Sequence, residues 1–376
     1  MEKKVVWISS YLPRSCGIAY YSENYINSLK KYAEKTKFNL KIKIISHSDA
    51  FFSDYPVIDL KDKSWNLKVL NIIKKEKPDL VHIQHEYGLY ETYDDKNQRV
   101  IDLIEDIKNF GVPVVMTYHS VYRRLSPFFK HFMSRTLKLI NIGFLHCQYQ
   151  KDSLKENINF VPENVYVLPH GSEEGIKLNR EKIREEYGYS GKFVVGSVGL
   201  ASERKGYLDL IEQWDKVVKK IPNSLLSLEL KPEKGVETKI YITKVLGKIM
   251  KSKVYRNIEF IVRDYTKLEF YKRLISFDVL VLPYKTESQS GVLAHGFSVG
   301  VPAIVTDIEG LGAEIRNSKA GIAVKNRNLF YKAIIRMYSS KNLRKKFSEN
   351  ALNYVKNFNG WSIIAKKTFE IYRKLW

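Results

Sequence analysis

Between Phe277 and Leu311 the chain reads FDVLVLPYKTESQSGVLAHGFSVGVPAIVTDIEGL, and few folds can accommodate it. Val279–Leu282 is a short continuous apolar run closed by Pro283, the pattern of a strand buried on both faces. A polar Glu-Ser-Gln-Ser-Gly turn follows, then a helix from about Val292 to Val299 ended by Gly300, then a second apolar run at Ala303–Thr306. Strand, loop, helix and strand in this order make a right-handed βαβ unit, which puts the loop leaving the first strand at the carboxyl edge of a parallel sheet. There the backbone N–H groups of Ser290, Gly291 and Val292 open the helix and form an anion site, and Gly291 lets a ligand approach the main chain closely. A carboxylate at Glu287 repels a phosphate. It is therefore a solvated loop charge, a helix cap, or a group that faces something else, such as sugar hydroxyls.

The same alternation runs through the rest of the chain. Apolar runs at Val5–Ile8, Lys41–Ser46, Leu80–Gln84, Val114–Tyr118, Phe144–Gln148 and Val165–Leu168 alternate with helical stretches. A second series starts at Phe193 and continues through Leu225–Leu230, Glu259–Val262, Val279–Leu282, Ala303–Thr306 and Gly321–Val324. This is the α/β class, with two Rossmann-like domains, and 376 residues of which 44% are hydrophobic suffice for two cores. After Pro169-His170-Gly171 the chain turns charged and aperiodic up to Gly191, as a linker does. The expected division is 1–172, a linker at 173–191, and 192–359, with 360–376 ending in a helix from Trp361 to Trp376.

Net charge is +22 and unevenly spread: 25 basic against 21 acidic residues in 1–175, and 38 against 20 in 176–376. Such a field attracts anionic partners, but no zinc-finger, basic-zipper or RNA-recognition pattern accompanies it, so nucleic acid is not expected. The two cysteines, Cys16 and Cys147, have no paired spacing and read as reduced thiols. Met1-Glu2-Lys3-Lys4 leads straight into a strand, and no run of eighteen apolar residues occurs. The expectation is a cytoplasmic protein without a signal peptide or a membrane span.

Several loops at strand ends carry candidate site residues. Strand one is followed by a turn containing Arg14 and Gly17 that opens a helix, a second phosphate-sized nest or an ordinary βα loop. Two further strands end in His82-Ile83-Gln84-His85-Glu86-Tyr87 and Thr117-Tyr118-His119-Ser120. Alternation sends His82 and His85 to opposite faces, so no metal site is expected from them. In the second series, Ser202-Glu203-Arg204-Lys205-Gly206 precedes a helix over Leu208–Lys219, where Lys205 can reach a diphosphate as a point charge. Residues 121–140 interleave Arg123, Arg124, Lys130, Arg135 and Lys138 with Phe128, Phe129, Phe132 and Met133. This is either a core helix with a basic face or an interfacial segment touching anionic lipid. In Ile242–Met250 the residues Ile242, Val245, Leu246, Ile249 and Met250 share one helical face, read as core.

Taken together these motifs resemble family 4 retaining glycosyltransferases of the GT-B fold. The family's donor signature has two glutamates eight positions apart, followed by a Gly-x-Pro turn into a strand. Glu287 holds the first position, His295 stands at the second, and Gly300-Val301-Pro302 holds the turn. Pro13-Arg14-x-Cys16-Gly17-Ile18-Ala19 resembles one subgroup's glycine loop. Lys205-Gly206 resembles the family's Lys-Gly element, with Leu200 where an arginine usually stands and Arg204 as its substitute. The resemblance implies two domains facing across a cleft, with the last helix crossing back to the first. It implies a UDP- or GDP-linked sugar donor, no metal, and transfer with retention to a glycan, lipid-linked or small-molecule acceptor. It further implies that Lys205, Glu287 and His119 act on the donor sugar and diphosphate. Gly17, Arg204, Ser290, Gly291, Val292 and His295 would line the donor site, and Arg14, His85 and Arg123 the acceptor side. Two other readings stand beside it: another GT-B enzyme, a sugar-nucleotide epimerase or phosphorylase, and a degenerate nucleotide- or glycan-binding module. Peripheral contact with an anionic membrane through 121–140 is a further expectation.

Overall fold

A computed structural model of the protein describes residues 2–90, 98–233, 235–286 and 289–376. The chain divides into two compact units, Met1–Gly171 with Trp361–Trp376, and Ser172–Gly360. The first holds strands β1 (Lys3–Ile8), β2 (Leu40–His47), β3 (Tyr55–Ile58), β4 (Leu80–His85), β5 (Val114–Tyr118), β6 (Ile142–Leu145) and β7 (Val165–Val167). The second holds β8 (Phe193–Leu200), β9 (Ser224–Lys231), β10 (Ile258–Val262), β11 (Val279–Leu282), β12 (Ala303–Thr306) and β13 (Gly321–Val324).

Each unit is one parallel sheet, ordered β3-β2-β1-β4-β5-β6-β7 in the first and β10-β9-β8-β11-β12-β13 in the second. In both, the first strand lies inside the sheet and the chain winds outward from it in two directions. Helices therefore cover both faces, and a crevice opens at the carboxyl ends of β1 and β4, and again at those of β8 and β11. Alternation along the strands fills two cores per sheet. Val6, Ile8, Val81, Ile83 and Met116 point to one side of the first sheet. Val5, Trp7, Leu80, Val115 and Phe144 point to the other, where they meet Tyr21 and Tyr25 of the helix Gly17–Lys35 and Trp361, Ile364 and Tyr372 of the last helix. In the second sheet Leu226, Leu228 and Leu230 face one core, and Leu225, Leu280 and Leu282 the other.

Four sequence expectations need correction. Strand β3 was not anticipated: it is an edge strand of four residues and carries Pro56, which a central strand would not tolerate. The strand expected at Phe144–Gln148 lies at Ile142–Leu145, because Gln148 already opens the helix Gln148–Ile158. The charged stretch 173–191 is no simple linker, since it forms the helix Arg180–Glu186 and packs into the second unit. The Arg184 guanidinium donates to the carbonyls of Ser276 (2.5 Å), Lys192 (2.7 Å) and Tyr189 (3.0 Å), and with Arg180 it grips Asp278. The last helix ends at Tyr372 instead of Trp376.

The segment 121–140 settles as a core helix, Pro127–Leu139. Phe132 and Met133 are buried, Phe128 and Phe129 pack half-buried against the same core, and Arg123 and Arg124 stay in solvent. Its aromatics are thus turned inward and cannot insert into a bilayer from this position.

Candidate functional site

At the switch point of the second sheet, the loop after β8 meets the loop after β11. Gly206 makes this approach possible. Its φ is +70°, and a Cβ there would sit 2.0 Å from the carbonyl oxygen of Pro283, so no other residue fits. The closeness also joins the main chains, since the N–H of Lys285 donates to the Arg204 carbonyl at 2.7 Å. Lys205, which ends the short 3₁₀ turn Glu203–Lys205, is thereby buried, with its Nζ 3.7 Å above the centre of the Tyr284 ring. A lysine ammonium held on a wholly buried tyrosine is a fixed cation at the carboxyl edge. Half-buried Arg204 stands beside it, and exposed Lys285 adds a third positive charge near Glu203, 3.6 Å away. Tyr284 and Lys285 were missed in the sequence. The signal was their place immediately after Pro283, at the end of a buried strand.

The second half of the site is the helix Gly291–Ser298. Ser290 caps it, its Oγ accepting from Leu293 N at 3.3 Å, so the first-turn N–H groups of Gly291 and Val292 are left without intrahelical acceptors. Those groups and the helix dipole favour an anion. Glu287 lies outside the described residues. His295, one turn into the helix, is half-buried and turned toward the helix Lys267–Ser276: its Nδ1 is 2.8 Å from the Tyr271 hydroxyl, and its ring meets Phe270 and Tyr271 edge-on.

In the first unit, period-two alternation stacks polar side chains on one face at the carboxyl edge: His82 and Gln84 from β4, Thr117 from β5 and His119 just after it, then His146 and His170. They form a hydrogen-bonded chain. His82 Nδ1 bonds the Tyr372 hydroxyl, and its Nε2 lies 2.7 Å from Thr117 Oγ1 and 3.1 Å from the Gln84 amide. The other end of that amide is 2.9 Å from His119 Nε2, and His119 Nδ1 is 3.3 Å from His146 Nε2. His146 Nδ1 faces the Leu168 carbonyl at 3.2 Å. That carbonyl only accepts, so Nδ1 of His146 carries the proton, Nε2 accepts, and His119 donates from Nδ1. A neutral His119 then needs the Gln84 NH2 turned toward its Nε2. Gln84 with its oxygen at that place fits a His119 protonated on both nitrogens, so the amide orientation is coupled to the charge. Burial pushes His82 and His146 down to about 3, and burial followed by the neighbouring imidazoles holds His119 well below the ordinary histidine value. The neutral arrangement is the one at pH 7.

The remaining sequence candidates of the first unit separate. Gly17 opens the helix Gly17–Lys35 in a backbone conformation open to any residue, and a Cβ there would meet nothing within 4 Å. Arg14 is ion-paired to Asp49 at 3.1 Å. Arg123 is exposed, its carbonyl accepting from Asn157 at 2.9 Å. His85 is a correction. As the last residue of β4 it faces the Pro127–Leu139 helix, fully buried with its ring stacked on Phe132 at 4.5 Å, so it offers an acceptor no surface. Among the described residues no three His, Cys, Asp or Glu side chains are grouped to hold a metal ion.

The second unit matches the family model of glycosyl transferases group 1 over residues 179–354, and the first matches that of glycosyltransferase family 4 over 58–173. The uncharacterized glycosyltransferase MJ1178 of Methanocaldococcus jannaschii is 23% identical over 403 residues, covering 99% of this chain and 98% of that protein. Among solved structures, a glycosyltransferase from Rickettsia africae superposes with a TM-score of 0.77 at 19% identity, over 100% of this chain and 98% of the other. Anabaena Alr3699/HepE, solved in complex with UDP, superposes with a TM-score of 0.72 at 14% identity, over 99% of this chain and 100% of the other. The same Anabaena protein has also been solved in complex with UDP-glucose. Both sheets have the Rossmann strand order, and the two family matches together span more than three quarters of the sequence: the chain belongs to the glycosyltransferases of the GT-B fold, of the group 1 and family 4 type.

Proposed function

We propose that the protein transfers a sugar with retention from a UDP- or GDP-linked donor to a glycan, lipid-linked or small-molecule acceptor, without a metal ion. The observation that carries this reading is the pairing, at one switch point, of the Lys205 ammonium over Tyr284 with the helix N-terminus at Ser290–Val292. In the reaction the bond from the anomeric carbon to the diphosphate oxygen breaks and the acceptor oxygen bonds to the same face. The acceptor proton passes to a phosphate oxygen. Negative charge grows on the leaving diphosphate as the sugar becomes oxocarbenium-like. Lys205, Arg204 and the N–H groups of Gly291 and Val292 meet that charge without having to reorganise. Glu287 would orient sugar hydroxyls, as the resemblance implies, and His295 would face the nucleotide from the helix that Tyr271 braces. His119, with both ring nitrogens bonded in the first unit, is the histidine that the resemblance assigns to the donor sugar.

Replacing Lys205 by Ala is expected to lower kcat by about 2–4 kcal/mol in barrier while the thermal unfolding midpoint stays near that of the parent. Unchanged turnover removes Lys205 from the site. Product analysis in the same assay decides the reaction: a transferred sugar supports the proposal, whereas epimerised donor or released sugar phosphate overturns it. Gly17→Ala offers a second check, because a Cβ there would meet nothing within 4 Å. Unfolding free energy should change by no more than about 0.5 kcal/mol, while turnover drops about tenfold or more if a ligand occupies the space. Full activity in this variant would show that nothing binds against Gly17.

A further inference from the structure

The helix Val236–Met250 is amphipathic twice over. Tyr241, Val245 and Ile249 face the core, as helical spacing demands. Leu246 and Met250, which the sequence also assigned to that core, are exposed at 44% and 67%. On the opposite side Val236 (71%), Ile240 (62%) and Met250 line up with exposed Thr243 and Gly247 at positions i, i+4, i+14, i+7 and i+11, a stripe of three large apolar side chains with one hydroxyl and one glycine between them, along about 21 Å of helix that faces solvent. Single exposed apolar residues are ordinary; a stripe set directly opposite the core stripe is not. Cations flank it on both sides. From Val236 to Arg256 there are six, Lys239, Lys244, Lys248, Lys251, Lys253 and Arg256, against the one carboxylate of Glu237. Glu212 pairs with Lys248 and Glu203 with Lys244, both from outside the helix, while Lys239, Lys251 and Lys253 project into solvent.

We propose that this face is a docking surface for an anionic lipid bilayer. An apolar stripe bordered by lysines suits a helix lying in the plane of a membrane surface, with apolar side chains at acyl depth and ammonium groups among the phosphates. Charge complementarity selects this occupant. Two copies of the chain meeting through the stripe would bring their lysines face to face in a protein already carrying +22, which opposes a dimer. No helix among the described residues is long and apolar enough to cross a membrane, so the contact is peripheral. It replaces residues 121–140, whose aromatics are packed inward, as the membrane-facing element.

Flotation of the full chain with vesicles tests it. Binding is expected with about 30 mol% phosphatidylglycerol in phosphatidylcholine and absent with phosphatidylcholine alone. It should weaken at least about tenfold between about 0.05 M and 0.5 M salt, as screening shortens the reach of the lysines. Ile240→Glu with Met250→Glu abolishes it, Lys239→Gln with Lys251→Gln weakens it, and Arg123→Ala with Arg124→Ala leaves it unchanged. Unaltered circular dichroism and unfolding midpoint show that each variant is folded, as surface substitutions should be. The proposal is overturned by absence of binding to anionic vesicles at low salt, or by undiminished binding of the Ile240/Met250 variant. A concentration-dependent dimer in light scattering that this variant dissolves would overturn it too, assigning the stripe to a second copy.

Discussion

Arg273→Met is expected to destabilise the second unit by about 3–5 kcal/mol, because it strands a carboxylate in the core. The side chain of Glu229 is fully buried on β9, and Arg273 reaches it from the helix Lys267–Ser276, with Nε 2.7 Å from Oε1. The same guanidinium bonds Glu259 at 2.8 Å and the Tyr189 hydroxyl at 2.6 Å, and lies over the rings of Tyr187 and Tyr189. Methionine fills part of the volume but leaves Glu229 with neither cation nor water. Adding Glu229→Leu should restore most of the loss, since a buried pair replaced by apolar residues costs little. Denaturant midpoints of the second unit read both. A single variant as stable as the parent would mean that water reaches Glu229. The effect should extend to the site, because the helix that carries Arg273 also carries Tyr271, the partner of His295. Donor KM should rise in the single variant under conditions where it is still folded.

This network shows where the sequence was legible and where it was not. Continuous apolar runs such as Val279–Leu282 and Ala303–Thr306 can only be strands buried on both faces, and two series of them imply two parallel sheets. Polar residues that serve as core anchors read as surface. Arg180, Arg184, Tyr187 and Tyr189 looked like a solvated linker, because neither composition nor periodicity records that Asp278, Glu259 and Arg273 wait for them on other elements. The helix Val236–Met250 erred in the other direction. Apolar spacing identifies a stripe but not which of two stripes is covered, and here Tyr241 holds the core position that Leu246 and Met250 were given.

At the candidate site, the Lys-Gly element and the Ser-Gly helix start were visible because each is a local arrangement: a glycine needed for backbone approach, and a cap followed by a helix. Tyr284 was invisible because its role depends on a contact between loops about eighty residues apart in sequence, set by Gly206 against Pro283. His146 belongs to the same class, although it stands two positions after Phe144 on a strand whose register with His119 could be counted.

Lowering the pH to about 5 should unfold the first unit. His47, His82, His85 and His146 are each buried; burial lowers the first to about 4 and the other three to about 3, against about 6.5 when unfolded. The unfolded chain then binds protons that the native unit refuses. Stability is full above about pH 6.5 and falls as the pH drops from there toward 3 to 4, where the loss levels off. At pH 5 each such histidine removes about 2 kcal/mol, so the four together remove about 8, comparable to the whole stability of an ordinary domain. His119, lowered as well, adds in the same direction. Circular dichroism and tryptophan fluorescence followed from pH 7 to 4 should show a steep, multi-proton transition. Trp7 and Trp361, which pack against this imidazole layer through His82, His170 and Tyr21, should become exposed in it. His85→Leu is the sharpest control. The ring packs on Phe132 and Tyr87, so leucine keeps those contacts and removes one titrating group. Its acid midpoint should move down, recovering about 2 kcal/mol at pH 5. A first unit that stays folded at pH 4.5, or a variant whose midpoint does not move, would show that water or counter-charges already let these imidazoles protonate in the native state.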